Sequence, residues 1–318
     1  MTQIVFIGIG AGAAAALLFA SLASGSLLAL VLFYLSPLPI LLAGIGWNYT
    51  AGLIAAGFAA ACLGFALDGY FAATFIVAIG LPAWWLGYLA LLARPARNSS
   101  ETLEWYPVGQ IVLWAAVIGG AAIVAIILVY FGTDIETFNA RLRTFIETVL
   151  GLRAGGGGGA LETEPFIDIN LLAKILPAML ASALTVILLI NAWLAARIAK
   201  MSGQLHRPWP ELPAIRFPRF APLVLAAALA GAFLPGLLGI ISDAFAAALT
   251  VAFAALGFAV LHVMTRGSGG RPLVLGGVYT AVIIFGWPAI ILALLGLVDT
   301  AIDLRGRTTR TRGPPTLH

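Results

Sequence analysis

The chain has 318 residues, 62% of them apolar and 9% charged, with a mean hydropathy of +1.06. An average soluble domain carries about 25% charged residues, so this composition excludes a water-soluble globule and makes lipid the solvent. A net charge of +4 and a pI near 9.5 would point a soluble protein toward nucleic acid, but the bases here lie in short clusters between apolar segments. They are topology signals, and no nucleic-acid partner is expected.

Asp68 is the only charged residue in the first 93, and no Lys or Arg precedes Arg94. Apolar segments follow in order at 4–22, 27–45, 52–67, 71–93, 111–131, 171–196, 221–241, 244–264 and 272–298. A spanning helix needs about 20 apolar residues, and no alternation of polarity marks a β-barrel. The expected fold is all-α, a polytopic transmembrane bundle of 8–10 crossings.

The first segment lacks the positively charged start of a secretory signal and reads as a retained helix. Gly8 and Gly12 form a Gly-x-x-x-Gly pair in it. Ala11, Ala15, Ala16 and Ala20 add a smooth face for close approach of another helix, inside the bundle or on a membrane partner. The second segment is interrupted by Ser36-Pro37-Leu38-Pro39, a density of proline that breaks a helix or leaves two half-helices. Trp47, Asn48 and Tyr49 open the third. Trp47 suits an aromatic belt, whereas the Asn48 amide offers donors and an acceptor to a ligand. Cys62, the sole cysteine, reads as a small apolar packing residue and excludes an internal disulfide.

Asp68 closes the third segment, where a helix-end turn residue and a substrate or cation contact are both open readings. Trp84 and Trp85, after Pro82, are interface anchors or cavity walls. Asn191 lies deep in the sixth segment and suits interhelical hydrogen bonding or a ligand contact. The ninth segment is too long for one upright crossing and has Gly286-Trp287-Pro288 at its middle, giving either one kinked helix or a hairpin of two short ones. Asp299, Asp303 and Arg305 then read as a surface ion pair and cap.

Arg94 and Arg97 after the fourth segment, and Arg197, Lys200, Arg207, Arg216 and Arg219 after the sixth, assign those loops to the cytoplasm. The loop 132–170 carries six acids against three arginines and belongs outside. Arg305, Arg307, Arg310 and Arg312 favour a cytoplasmic tail, which the hairpin reading of the ninth segment satisfies with ten crossings. In the external loop, Thr133 and Glu136 form a capping box, and Ile135, Phe138, Leu142, Ile146 and Val149 recur at helical spacing. The organisation expected is a six-helix membrane domain over 1–200, with an external amphipathic helix at 133–152 and a Gly-rich linker at 154–160. A basic cytoplasmic loop at 201–219, C-terminal transmembrane helices over 220–304 and a disordered tail at 305–318 complete it.

Catalytic signatures are missing. Three histidines, His206, His262 and His318, make no His-Glu-x-x-His pair, and neither a phosphate loop nor a nucleophile elbow occurs. No enzymatic activity, metal or cofactor is expected.

The order of an alanine-rich first helix, then Pro37-Leu38-Pro39, Gly44, Gly46-Trp47-Asn48, Gly52, Gly57, Gly64, Gly69 and Pro82, resembles the YybS-like family of uncharacterised bacterial membrane proteins. So does the closing Leu294-Leu295-Gly296-Leu297-Val298-Asp299 with Asp303-Leu304-Arg305. The first six segments in turn look like the substrate-binding S components of energy-coupling factor transporters. That resemblance implies a multi-pass protein of the bacterial inner membrane with both termini cytoplasmic. It also implies a small solute bound from outside, and a first helix whose small residues dock on an energising partner. Segments seven to nine exceed the six helices of an S component. On this reading an outward cavity beneath the external helix is lined by Asn48, Tyr49, Trp84, Trp85 and Asp68. The alternative is a membrane scaffold or assembly factor that binds protein or lipid and transports nothing, favoured by the sparse intramembrane charge.

Overall fold

The computed structural model describes residues 1–96, 99–149, 169–211 and 214–306. Its first half runs through α1 (Thr2–Ala20), α2 (Leu27–Tyr34), α3 (Pro37–Gly46), α4 (Tyr49–Ala66), α5 (Gly69–Phe75) and α6 (Leu81–Leu91). A hairpin of β1 (Ala93–Ala96) and β2 (Ser99–Trp105) leads into α7 (Val108–Phe131), α8 (Ile135–Val149) and α9 (Ile169–Met201). After a long connection come α10 (Ala221–Gly231), α11 (Leu237–Met264), α12 (Arg271–Phe285) and α13 (Pro288–Ile302). The fold is an all-α polytopic bundle. Among the described residues, seven stretches are long and apolar enough to cross a membrane, α2 with α3 and α5 with α6 each forming one of them, while α10, α12 and α13 are shorter.

Hydrocarbon offers no partner to a free backbone group, so each helix break has to be repaired from within the protein. At the α2/α3 break, Pro37 and Pro39 bring no N–H. The Ser36 N–H turns back to Phe33 O at 3.0 Å and the Leu38 N–H to Leu35 O at 3.0 Å. Tyr34 O, which Leu38 would have satisfied in an unbroken helix, instead accepts from Asn191 Nδ2 of α9 at 2.8 Å. Pro82 poses the same difficulty between α5 and α6, where a wide π-type turn over Ile76–Gly80 precedes it.

Close packing rests on small residues, as expected where lipid supplies no hydrophobic drive between helices. A Cβ on Gly12 of α1 would stand 2.6 Å from Ala55 O of α4, and one on Gly119 of α7 would stand 2.7 Å from Thr185 Oγ1 of α9. The tightest crossing joins α11 and α13, where added methyls on Gly257 and Gly296 would strike the Leu292 and Phe253 carbonyls. Large apolar side chains such as Phe6, Leu17, Leu223 and Ile283 face outward, as a lipid-solvated surface requires.

Several expectations need correction. The segment 221–241 is not one crossing: α10 ends at Gly231, and Leu234-Pro235-Gly236 turns the chain with Gly236 at φ +73 before α11 begins. Packing of Gly231 on Ser242 folds α10 back along α11. The ninth segment, open between one kinked helix and two short ones, needs no correction and divides at Gly286, φ +71, into two helices of 15 residues. The loop after α6 is a β-hairpin pairing Ala93 with Trp105 and Arg94 with Glu104, closed by an exposed ion pair of 2.9 Å.

Helix α8 is capped by Asp134, not by Thr133. Its Oδ2 accepts from the Thr137 N–H at 3.0 Å, and a carboxylate there also complements the helix dipole. The expected apolar face is buried through Phe138, Leu142 and Ile146. The Gly-rich linker and the tail beyond Gly306 lie outside the described residues.

Two outcomes follow. Gly257→Ala forces a methyl against a backbone carbonyl and should cost about 1–3 kcal/mol, read as a lowered thermal midpoint of the detergent-purified protein. Gly276→Ala, with open space around it, should leave the midpoint unlowered. The second concerns α8. The Thr137 N–H holds the Asp134 carboxyl below its ordinary value, so the cap is intact above the usual carboxylate range and fails only as pH falls through that lowered value. Protection of the Phe138 to Arg141 amides, corrected for intrinsic exchange rates, should therefore persist through the ordinary carboxylate range and fall only below it, and Asp134→Ala should remove it at neutral pH.

Candidate functional site

One end of the bundle gathers aromatic rings from four separate stretches of chain. Tyr49, at the start of α4, meets Tyr88 of α6 edge-on at 5.6 Å between ring centroids. Tyr88 in turn contacts Trp84 at 6.3 Å and Trp85 at 5.5 Å. Trp85 packs edge-on against Trp114 of α7 at 5.8 Å, and Trp114 Nε1 donates to the Tyr106 hydroxyl at 3.0 Å. Six of the eight tryptophans, at 47, 84, 85, 105, 114 and 209, belong to this end. Beside Tyr106 opens a cavity of about 710 Å³, framed by Leu92 to Arg94 on one side, Glu104 to Pro107 on the other, and Gln110 in the first turn of α7.

Within the cluster, Trp84 Nε1 and Trp85 Nε1 are both buried and donate to no protein acceptor. An indole N–H normally finds a partner when buried, so the pair offers two free donors, joined to the cavity wall at Tyr106 through Trp114 and not lining it themselves. Arg207, in the connection between α9 and α10, straps this end. Its Nη1 donates to Ala90 O at 3.2 Å, its Nη2 to Tyr106 O at 3.3 Å, and its guanidinium lies 5.9 Å from the centre of the Trp105 ring. Burial pushes its pKa down from the ordinary arginine value. Lys200 Nζ lies 4.9 Å from the centre of the Trp209 ring nearby.

The opposite end holds Asp68. It caps α5, accepting from the Tyr70 N–H at 2.7 Å and the Phe71 N–H at 3.1 Å, and it is exposed. Beside it Tyr130 of α7 joins its hydroxyl to Thr74 Oγ1 at 2.6 Å and to Tyr70 O at 3.1 Å, just before the chain turns into α8. Helix α4, 18 residues long, separates Asp68 from Asn48 by about 27 Å at 1.5 Å per residue.

The residues expected to line one cavity beneath α8 are therefore divided between two ends. Tyr49, Trp84 and Trp85 share the end away from α8, and Asp68 stands at the end near it. Asn48 spends its Oδ1 as the α4 cap, accepting from the Thr50 N–H at 3.0 Å and the Thr50 hydroxyl at 3.1 Å. Trp47 is exposed beside it.

Asn191 belongs to neither end. It lies on α9, 2% exposed, at the α2/α3 break. The first-helix face is covered within the chain: α4 packs on Gly8 and Gly12, Ala15 and Ala16 are 0% and 6% exposed, and Ala11 and Ala20 are partly buried. A partner helix docking on these alanines would first have to displace α4. Asp299 and Arg305 form a buried bidentate pair, 3% exposed on both sides, and not a surface one. Arg305 Nη2 also donates to Ile215 O at 2.7 Å, tying the end of α13 to the strap that carries Arg207.

Residues missed by sequence reasoning are Trp105, Tyr106, Gln110, Trp114 and Arg207. The spacing of Gln110 and Trp114, one turn apart at the start of a helix, put both on one face. Nothing local linked that face to Trp85.

A family model described as "Predicted membrane protein (DUF2232)" matches residues 13–300. No curated protein and no solved structure matches the chain.

The Asp299–Arg305 pair gives the prediction of this section. Arg305→Met strands a buried carboxylate and should cost about 3–5 kcal/mol, measured as loss of thermal stability in detergent. Adding Asp299→Leu to it should restore most of that loss.

Proposed function

The chain belongs to the DUF2232 family of predicted membrane proteins, a membership that brings no activity with it, and from that premise we propose that this integral multi-pass protein binds a small solute as a subunit of a transport system. The observation that carries the reading is the pair of buried, unpartnered indole N–H groups of Trp84 and Trp85 in an aromatic cluster beside a cavity of about 710 Å³. Aromatic walls with few convergent polar groups suit a planar ring bearing hydrogen-bond acceptors. No bond-making chemistry is assigned to the site.

Location in the bacterial cytoplasmic membrane with both termini inside is part of the proposal. It is supported by Arg94, Arg197, Lys200, Arg207, Arg216 and Arg219, which all lie on the cavity side. In that orientation the solute is met from the cytoplasm. The proposal keeps from the S-component resemblance a partner that supplies energy, while the side of capture differs.

The scaffold reading has one observation in its favour. Helix α12 buries none of its residues, and Leu273, Ile283 and Phe285 are exposed along it, which suits a partner protein or lipid lying against it. Purification in mild detergent separates the readings. A co-purifying ATPase with a coupling subunit supports transport, and a stable complex with other envelope proteins and no ATPase supports scaffolding.

For solute binding, tryptophan emission of the protein in lipid nanodiscs should be quenched saturably by at least one planar heteroaromatic carrying carbonyl acceptors. Trp84→Phe and Trp85→Phe each remove one N–H and keep the ring, and should weaken that binding about 5- to 10-fold, the value of one hydrogen bond of about 1–1.5 kcal/mol. Absence of saturable quenching across such a panel removes the proposal.

A further inference from the structure

The α2/α3 break carries a second polar constellation, distant from the aromatic end. Asn191 Nδ2 is spent on two carbonyls, Tyr34 O and Ile187 O, each at 2.8 Å. That fixes the amide orientation, because the flipped form would set Oδ1 against two carbonyl oxygens. Asn191 Oδ1 is then buried and receives no hydrogen bond from the protein, and the same holds for Oγ of Ser36, a residue with 0% exposure. Ser36 lies two residues beyond Tyr34, so both orphaned oxygens flank the last turn of α2.

The character of the place follows from its donors and acceptors. The two uncommitted groups are an amide carbonyl and a hydroxyl, and the carbonyls that end α2, each already accepting one hydrogen bond, keep a second lone pair. The C-terminus of a helix concentrates partial negative charge, and the adjacent start of α3 contributes prolines at 37 and 39 in place of N–H donors. Against these acceptors the Ser36 hydroxyl offers a single free donor, too little to hold an anion. Asn191 is ten residues before Met201, about 15 Å along α9, which puts it near the middle of a hydrocarbon core about 30 Å thick. Unwound backbone and half-helix C-termini at that depth are the means by which helical membrane proteins coordinate small cations.

We propose that the break between α2 and α3 binds a monovalent alkali cation through Asn191 Oδ1 and Ser36 Oγ, with the second lone pairs of the terminal α2 carbonyls completing its shell. The site is independent of the solute reading and stands or falls separately.

The test uses the full-length detergent-purified protein and its thermal midpoint in NaCl, KCl and LiCl against choline chloride at one ionic strength. One alkali cation should raise the midpoint saturably. Ser36→Ala, which removes a single oxygen and leaves the fold's hydrogen bonds untouched, should weaken the apparent affinity at least tenfold. Asn191→Leu should abolish the response, and Ser36→Ala keeps the test decisive if that variant fails to fold. Equal midpoints in all four salts, as a bound water alone would give, overturn the proposal. So does a response that Ser36→Ala leaves unchanged.

Discussion

A backbone carbonyl in hydrocarbon has to find a donor, and the rest of this bundle is arranged around places where the helix itself fails to supply one. The hydrogen bond from Asn191 to Tyr34 O is the central case. It joins residues 157 positions apart and ties the second span to α9, which also packs against α7 and α11. The prolines at 37 and 39 would be a liability in an isolated helix. Here they bend the second span at the depth where α9 offers a side-chain amide.

The same economy governs packing. Without a hydrophobic drive in lipid, contact comes from shape, and shape comes from glycine and alanine. Thus α1 closes on α4 through Gly8 and Gly12, and α11 closes on α13 through Gly257 and Gly296. These crossings fix the scaffold on which the aromatic end is hung. Tyr49, Trp85, Trp114 and Tyr106 come from different stretches of chain, and their mutual contacts depend on α4, α6 and α7 being held close together.

What was legible in the sequence was whatever is local and periodic. Continuous apolar runs gave the spans, the proline pair gave the break, and the spacing of Phe138, Leu142 and Ile146 gave the buried face of α8. The β-hairpin escaped because Ser99 to Trp105 is short and polar, and its stability comes from pairing with Ala93 to Ala96 rather than from any pattern within itself. The turn at Pro235-Gly236 was hidden by its apolar flanks, since hydropathy measures solvent preference and not backbone direction. Long-range pairing was out of reach for a different reason. Asp299 and Arg305 look like surface charges until Ile215 is known to cover them, and Trp85 looks like a belt residue until Trp114 lies against it.

The brevity of α10 has a consequence for how the protein enters its membrane. Eleven residues extend about 16 Å, half of the hydrocarbon thickness, so α10 on its own is too short to be recognised and released sideways by an insertion machine as a spanning segment. Its return partner α11, at 28 residues, is long enough. Packing of Gly231 on Ser242 gives α10 the neighbour its length denies it, so its place in the bilayer depends on α11 lying against it.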